Sequence, residues 1–521
     1  MASASSNRFI HSTTSVIEIN ESNRALNPLI ARGAFGHVDI ALLVDWKSCP
    51  SSTMIESEIS STTISLQKVQ NVSFAAIKTI PNATISSSES SSLESIQLTR
   101  EAFAELNALR LLNGHENITP LLGYYGARDA QSSRSGNGTS SGGGFEGWDW
   151  AAAADDSSSS TRMRSPTSLC FVFPYHPVDL AHALSHRRLQ SFSAGNPRDY
   201  FHLSPTVIQS IANDILSAVN HLHLHHILHR DIKPSNLYIT KDGRIQLGDY
   251  GLAKVIPELT NNKSTIDTHA SYSSNNSSSA VKTTNAIYEG NSGITKGLCT
   301  LQYRPPELLL GGAGIHQSLD VWSAGCVLAE LLTLSGPLFP GQSVLDMLSR
   351  IFNILGTPNN NNNNTVDNKW PDVSLLPDWN KVCFKPMSGT GLRRKIVGEE
   401  LWTNVGCLVE TMLALDPECR PSAHQCLQHT WLQSFVDRSK TDTSWEKQCH
   451  QIVVDELIPS SLLHNSANNN RSLFSLPNEN EEISKNEDPF AYAKEVAAKV
   501  AASRRSFPQS HEQCPACNTR R

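Results

Sequence analysis

Apolar residues recur with two different periods along this chain. In PLIARGAFGHVDIALLV (28–44) and VSFAAIKTI (72–80) they alternate or run continuously, which predicts strands, and LTREAFAELNALRLL (98–112) then reads as a helix. Beyond a short strand at LCFVFPY (169–175), the spacing is mainly helical. It runs through VIQSIANDILSAVNHLHLHH (207–226), DVWSAGCVLAELLT (320–333), VLDMLSRIFNILG (344–356), ELWTNVGCLVETMLAL (400–415) and AHQCLQHTWLQSF (423–435). The order predicts an α+β chain with a small β-rich lobe followed by a large α-helical lobe.

Four segments interrupt this pattern, at 46–70, 127–166, 257–294 and the asparagine tract 359–364. All are rich in Ser, Asn, Thr or Gly, and they read as disordered insertions because they carry too few apolar groups to offset ordering entropy. Residues 1–24 read as an N-terminal extension. Residues 436–521 read as a mostly disordered tail with one alanine-rich helix candidate at 489–506. At 521 residues and 39% hydrophobic, the chain can bury a large core. A formal net charge of −6 supplies no basic field for nucleic acid. The absence of a long apolar run predicts neither a membrane span nor a signal segment, hence an intracellular protein of the cytoplasm or nucleus. Eleven scattered cysteines, among them Cys326, Cys407 and Cys426 in helical patterns, read as reduced core thiols.

The polar residues that carry chemistry cluster in two short runs. HRDIKPSNLYI (229–239) and LGDYGLAK (247–254) combine Asp231, Lys233, Asn236 and Asp249, a set suited to orienting a hydroxyl and holding a hard cation against phosphates. Upstream, ARGAFGHV (31–38) places Gly33 and Gly36 in a strand-turn-strand context where backbone N–H groups can approach phosphates, although such glycines equally make plain hairpins. Lys78 ends the apolar run AAIK and Glu105 lies on the next helix. Taken alone, that lysine reads as one snorkelling from a strand edge and that glutamate as a solvated helix face.

Together, the HRDIKPSN and DYG runs resemble the catalytic and metal-binding loops of eukaryotic protein kinases. RPPE (304–307), DVWSAGC (320–326) and DPECRPSA (416–423) extend the resemblance over roughly 25–435, with lobes at about 25–173 and 177–435. The resemblance implies the bilobal protein-kinase fold and a Ser/Thr protein kinase using ATP and Mg2+ on protein substrates. It implies Asp231 as catalytic base, Lys233 beside the transferred phosphoryl group, Asn236 and Asp249 as metal ligands, and Lys78 on the phosphates with Glu105 as its partner. For ATP binding it implies Ile30, Ala31, Arg32, Gly33, Ala34, Phe35, Gly36, His37, Val38, Ala76, Lys78, Phe173 as gatekeeper, Tyr175, His176 and Tyr238, the last at a floor position where leucine is common. Asp320 is expected to hold the HRD backbone and Glu307 to pair with Arg420.

GPLFPGQSVLDMLSRIFNILGTP (336–358) is similar to a segment of the cyclin-dependent and mitogen-activated kinases, and Arg304 favours proline-directed sites. Alternatives are a kinase that activates other cyclin-dependent kinases, or a pseudokinase scaffold. Ala31 replaces a loop glycine and Tyr250 the DFG phenylalanine. Ala104 replaces the arginine before the helix glutamate, and Lys254 stands where a second phosphate-binding arginine is usual, which argues against a cyclin-like partner. Thr295 has the spacing of an activating phosphosite. His511, Cys514 and Cys517 are one ligand short of a zinc site.

Overall fold

The computed structural model describes residues 14–17, 31–33, 36–45, 71–81, 100–127, 168–176, 178–193, 203–256, 300–333, 336–358, 370–394, 399–442 and 444–458. Its N-terminal sheet grows from the two apolar runs, as β3 (Gly36–Asp45) and β4 (Asn71–Pro81) pair antiparallel from His37↔Thr79 to Asp45↔Asn71. Around them lie β1 (Thr14–Ile17), β2 (Ala31–Gly33), β5 (Gly123–Ala127) and β6 (Ser168–Pro174). The order is β1-β3-β4-β6-β5, with β2 on β3. Period-2 alternation along β4 buries Ala75 and Ile77 and turns Ala76 and Lys78 to the other face. Helix α1 (Arg100–Leu112) packs through Ala102, Leu106 and Leu109, and Glu105 shares that helical face, so it is buried at 1% exposure rather than solvated.

Two short sheets open the helical lobe: β7 (Val178–Asp179) with β9 (Leu237–Ile239) and β10 (Ile245–Leu247), and β8 (Ile227–Leu228) with β11 (Lys254–Val255). Helix α2 (Leu180–Ser193) leads to α3 (Pro205–Leu224). At the start of α3 the Ser204 side chain accepts from the Val207 N–H, and Pro205 fills a position that needs no donor. Its apolar face then buries Val207, Ile208, Ile211, Ile215, Leu216, Val219 and Leu222. Next come α4 (Pro306–Leu309), the almost wholly buried α5 (Ser318–Thr333), α6 (Val344–Leu355), α7 (Glu399–Met412), α8 (Ala423–Leu427), α9 (Thr430–Thr441) and α10 (Trp445–Leu457).

Helices α9 and α10 carry the described chain past residue 435. Cys449, Val453, Val454 and Leu457 recur at helical spacing and bury against the lobe, so ordered chain reaches Ile458. The polar residues between these positions had hidden that stripe. Among the expected thiols Cys326 and Cys426 are buried, but Cys407 is exposed because it lies off the buried stripe Val405, Leu408, Val409 and Met412 of α7. The four insertions lie outside the described residues apart from Ala127, which ends β5. The 489–506 helix and the residues His511, Cys514 and Cys517 also lie outside them.

Candidate active site

Between the two lobes, β4 delivers Lys78 and α1 delivers Glu105. The Lys78 ammonium donates to Glu105 Oε1 at 2.6 Å and to Asp249 Oδ1 at 2.8 Å. Burial alone would push this lysine toward neutrality, but the two carboxylates outweigh it and hold its pKa above the usual range. Burial likewise works against ionising Asp249, and the Lys78 cation reverses that, holding the carboxyl below its usual range. The Asp249 side chain remains 41% exposed.

The HRD run forms the opposite wall. Asp231 Oδ1 accepts from the Thr300 N–H at 2.8 Å and from its hydroxyl at 2.9 Å. Oδ2 accepts from Lys233 Nζ at 2.7 Å and from Asn236 Nδ2 at 3.3 Å. Lys233 also donates to Thr300 Oγ1 at 2.7 Å, and Asn236 Nδ2 to the Asp231 carbonyl at 2.8 Å. Both carboxylate oxygens are therefore held in one orientation.

Buried groups behind this wall fix the backbone. The Asp320 carboxylate, at the start of α5, accepts from the His229 N–H at 2.9 Å and the Arg230 N–H at 2.8 Å, and pairs with His223 Nε2 at 3.0 Å. Despite full burial, these contacts keep its pKa below the usual range. Burial lowers the pKa of His229, so its ring stays neutral; Nδ1 accepts from the Asp231 N–H and Nε2 donates to the Gly248 carbonyl at 3.0 Å. Arg230 and Asp249 both hold positive φ, 66° and 60°, which is costly for a residue with a Cβ and here is stabilised by this network. Tyr250 is buried with its hydroxyl on the Leu247 carbonyl at 3.0 Å, which explains how an aromatic residue with an added hydroxyl fits. Glu307 and Arg420 form a fork, Nη1 to Oε1 and Nη2 to Oε2, each at 2.7 Å, and the guanidinium lies 4.8 Å over the Trp322 ring.

On the base-binding side Val38 is half-buried and pairs in register with Lys78, while Ala76 pairs with Phe173 of β6. Phe173 packs edge-on to Phe171, with ring centroids 6.4 Å apart, and Tyr175 is buried. The His176 ring stacks on Tyr238 at 6.0 Å. Ala31, Arg32 and Gly33 of β2 pair with Val38, His37 and Gly36 of β3, whereas Ile30, Ala34, Phe35 and Thr295 lie outside the described residues. Ala104 is half-buried beside Glu105, and burial together with the Arg230 charge lowers the pKa of Lys254.

Thr300 and Gly248 are residues of the cluster that motif reading passed over. For Thr300 the signal was a hydroxyl just before the LQYRPPE run; for Gly248 it was a glycine directly before the aspartate of DYG. The donor chemistry fits a magnesium ion: one carboxylate and one amide offer hard oxygens, and among the described residues no three His, Cys, Asp or Glu side chains form an all-protein cage. Magnesium commonly takes few protein ligands and completes its shell with water and phosphate.

This fold and constellation define a protein kinase. The family model described as "Protein kinase domain" matches residues 59–432, and the chain belongs to that family. It resembles the CTD kinase subunit alpha of Schizosaccharomyces pombe (31% identical over 273 residues, 52% of this chain and 37% of that protein). It also resembles cyclin-dependent kinase 11.2 of Caenorhabditis elegans (33% over 224 residues, 43% and 28%) and the serine/threonine-protein kinase ppk23 of S. pombe (34% over 224 residues, 43% and 46%). The chain thus spans less than half the length of these curated relatives. A solved structure of the CAK complex of Chaetomium thermophilum bound to ATP-γ-S matches 79% of this chain and 93% of that chain, at 22% identity and a TM-score of 0.47. Among the described residues no helix is long and apolar enough to cross a membrane.

Proposed function

We propose that the protein is a Ser/Thr protein kinase of the cyclin-dependent kinase-like branch, transferring the γ-phosphoryl group of ATP to protein hydroxyls. The observation that carries this reading is the Lys78 ammonium bridging Glu105 and Asp249 across the cleft from an Asp231 whose two oxygens are both held. Lys78 binds and neutralises phosphate oxygens, and Glu105 keeps it in place. Asp231 orients the substrate hydroxyl and accepts its proton, while the Lys233 ammonium sits where charge develops on the transferred group. Asn236 and Asp249 would hold magnesium, which would neutralise the phosphates. Arg304, four residues beyond Thr300, supports a preference for proline after the modified residue.

The test is radiolabel transfer from ATP to peptides carrying Ser followed by Pro or by Ala. Asp231→Asn should lower turnover by about two to four orders of magnitude with the melting temperature retained. Equal labelling by the variant and the parent would defeat the enzyme reading, and equal use of both peptides the proline preference.

A further inference from the structure

We infer that Cys407, paired with His429, is a modification site that exchanges with low-molecular-weight disulfides to form a reversible mixed disulfide. Helix α7 places this thiol on its exposed side, one turn from Thr403, Asn404, Glu410 and Thr411, so Glu410 is the single charge among those helical neighbours. The imidazole comes from a different element. His429 is the N-cap of α9, where its Nδ1 accepts from the Trp431 N–H at 3.3 Å. Burial lowers the pKa of His429, so the ring is neutral near pH 7. A neutral ring that accepts at Nδ1 carries its proton at Nε2. Nε2 lies 3.0 Å from Cys407 Sγ, so it donates to that sulfur. The cap of α9 thus fixes the tautomer and aims an N–H at an exposed thiol held by α7.

The other described thiols lack this combination. Cys170, Cys326, Cys426 and Cys449 are buried, and burial pushes the Cys426 thiol up to about 12. Of the exposed ones, Cys419 donates to Asp416, and burial followed by the Asp416 and Glu418 carboxylates raises its pKa. Cys383 is exposed, with no imidazole bonded to its sulfur among the described residues. In the exchange, Cys407 gives its proton to solvent and its sulfur attacks one sulfur of the small disulfide. One S–S bond forms as the other breaks, and the departing thiolate takes up a proton. The thiol of the chain is oxidised and one half of the small disulfide is reduced, so no further oxidant is needed. His429 keeps its proton throughout, and its N–H supports the negatively charged sulfur from which attack occurs.

The experiment treats the reduced full chain with hydroxyethyl disulfide, a neutral probe that Glu410 does not repel, quenches it with acid at intervals and reads each cysteine by peptide mass. Cys407 should form the mixed disulfide about fivefold to fiftyfold faster than Cys383 or Cys419, and dithiothreitol should return the free thiol. His429→Asn keeps a good N-cap, but its shorter side chain withdraws the donor from the sulfur. In that variant Cys407 should slow to within about twofold of Cys383, while Cys383 keeps its parent rate. If exposure alone made Cys407 reactive, its rate would be unchanged in His429→Asn, and that result overturns the inference. So does a parent in which Cys407 reacts no faster than Cys383, or an adduct that dithiothreitol does not remove. Should His429→Asn fail to fold, the comparison of thiols in the parent decides alone. No phosphoryl transfer enters the readout, so failure here leaves the kinase reading standing.

Discussion

Tyr250 shows how one residue can depart from a motif without losing its role. Its ring packs edge-on to His229 at 5.0 Å, and burial raises the pKa of the phenol well above its usual value, so it stays a neutral donor to the Leu247 carbonyl. That carbonyl also accepts from the Thr119 N–H at 2.9 Å, so removing the hydroxyl leaves no orphaned acceptor. Tyr250→Phe should therefore cost only about 0.5–1.5 kcal/mol in urea unfolding and leave phosphoryl transfer near the parent level. A loss above about 3 kcal/mol would mean that the hydroxyl does more than fill a bond. The candidacy of Asp231, Asn236 and Asp249 was legible in the sequence because residue type and spacing are themselves the signal. The burial of Glu105 was not, since a carboxylate on a helix reads as solvated until its partner lysine, 27 residues away in sequence, is placed beside it.

At the scale of elements, α10 docks where sequence pattern predicted a mostly disordered tail. It lies against α3 and the β9–β10 turn. Arg244 of that turn donates to Glu446 at 2.8 Å and pairs with Glu116 at 3.2 Å, and Arg187 of α2 donates to the Glu456 carbonyl at 2.9 Å. The closest approach is at Gly243, whose φ is +83°; a Cβ there would fall 1.9 Å from the His450 carbonyl oxygen. Two costs combine, a left-handed backbone and a backbone clash that no rotamer change relieves. Gly243→Ala should destabilise the protein by about 2–4 kcal/mol and expose α10 to limited proteolysis. Cleavage and melting indistinguishable from the parent would show that α10 is held independently of this contact.

Across the whole molecule, seven described histidines have pKa values lowered by burial: His115, His176, His186, His221, His229, His316 and His429. For His176 and His221 the values fall to about 4, while an unfolded histidine titrates near 6.5. Above that pH neither state binds the proton. Between about 6.5 and 4 the unfolded chain takes it up and the folded chain does not, so stability falls as pH falls. Asp249 and Asp320, with depressed pKa values, keep their contribution through this window and lose it only below the ordinary carboxylate range. Unfolding midpoints at pH 7.5 and 5 should thus differ, with His176 alone contributing about 1–3 kcal/mol, and His176→Phe should flatten part of the slope. A parent equally stable at both pH values would contradict this account.

The amino-acid sequence by itself determined the order of strands and helices, the residues that carry charge to the cleft, and the likeness to protein kinases, because hydrophobic periodicity and short-range motif spacing are local properties of the chain. Beyond the Lys78–Glu105 and Glu307–Arg420 pairs that the kinase resemblance implied, only the tertiary structure decided which of those charges meet. Asp249, in the chain after β10, joins Lys78 of β4, and Thr300 closes on Asp231 from 69 residues away. Tyr238, Gly248 and His176 likewise become neighbours only once β6, β9 and the chain after β10 pack together. Contacts of this kind depend on distances across the fold, and no pattern of neighbours along the chain records them.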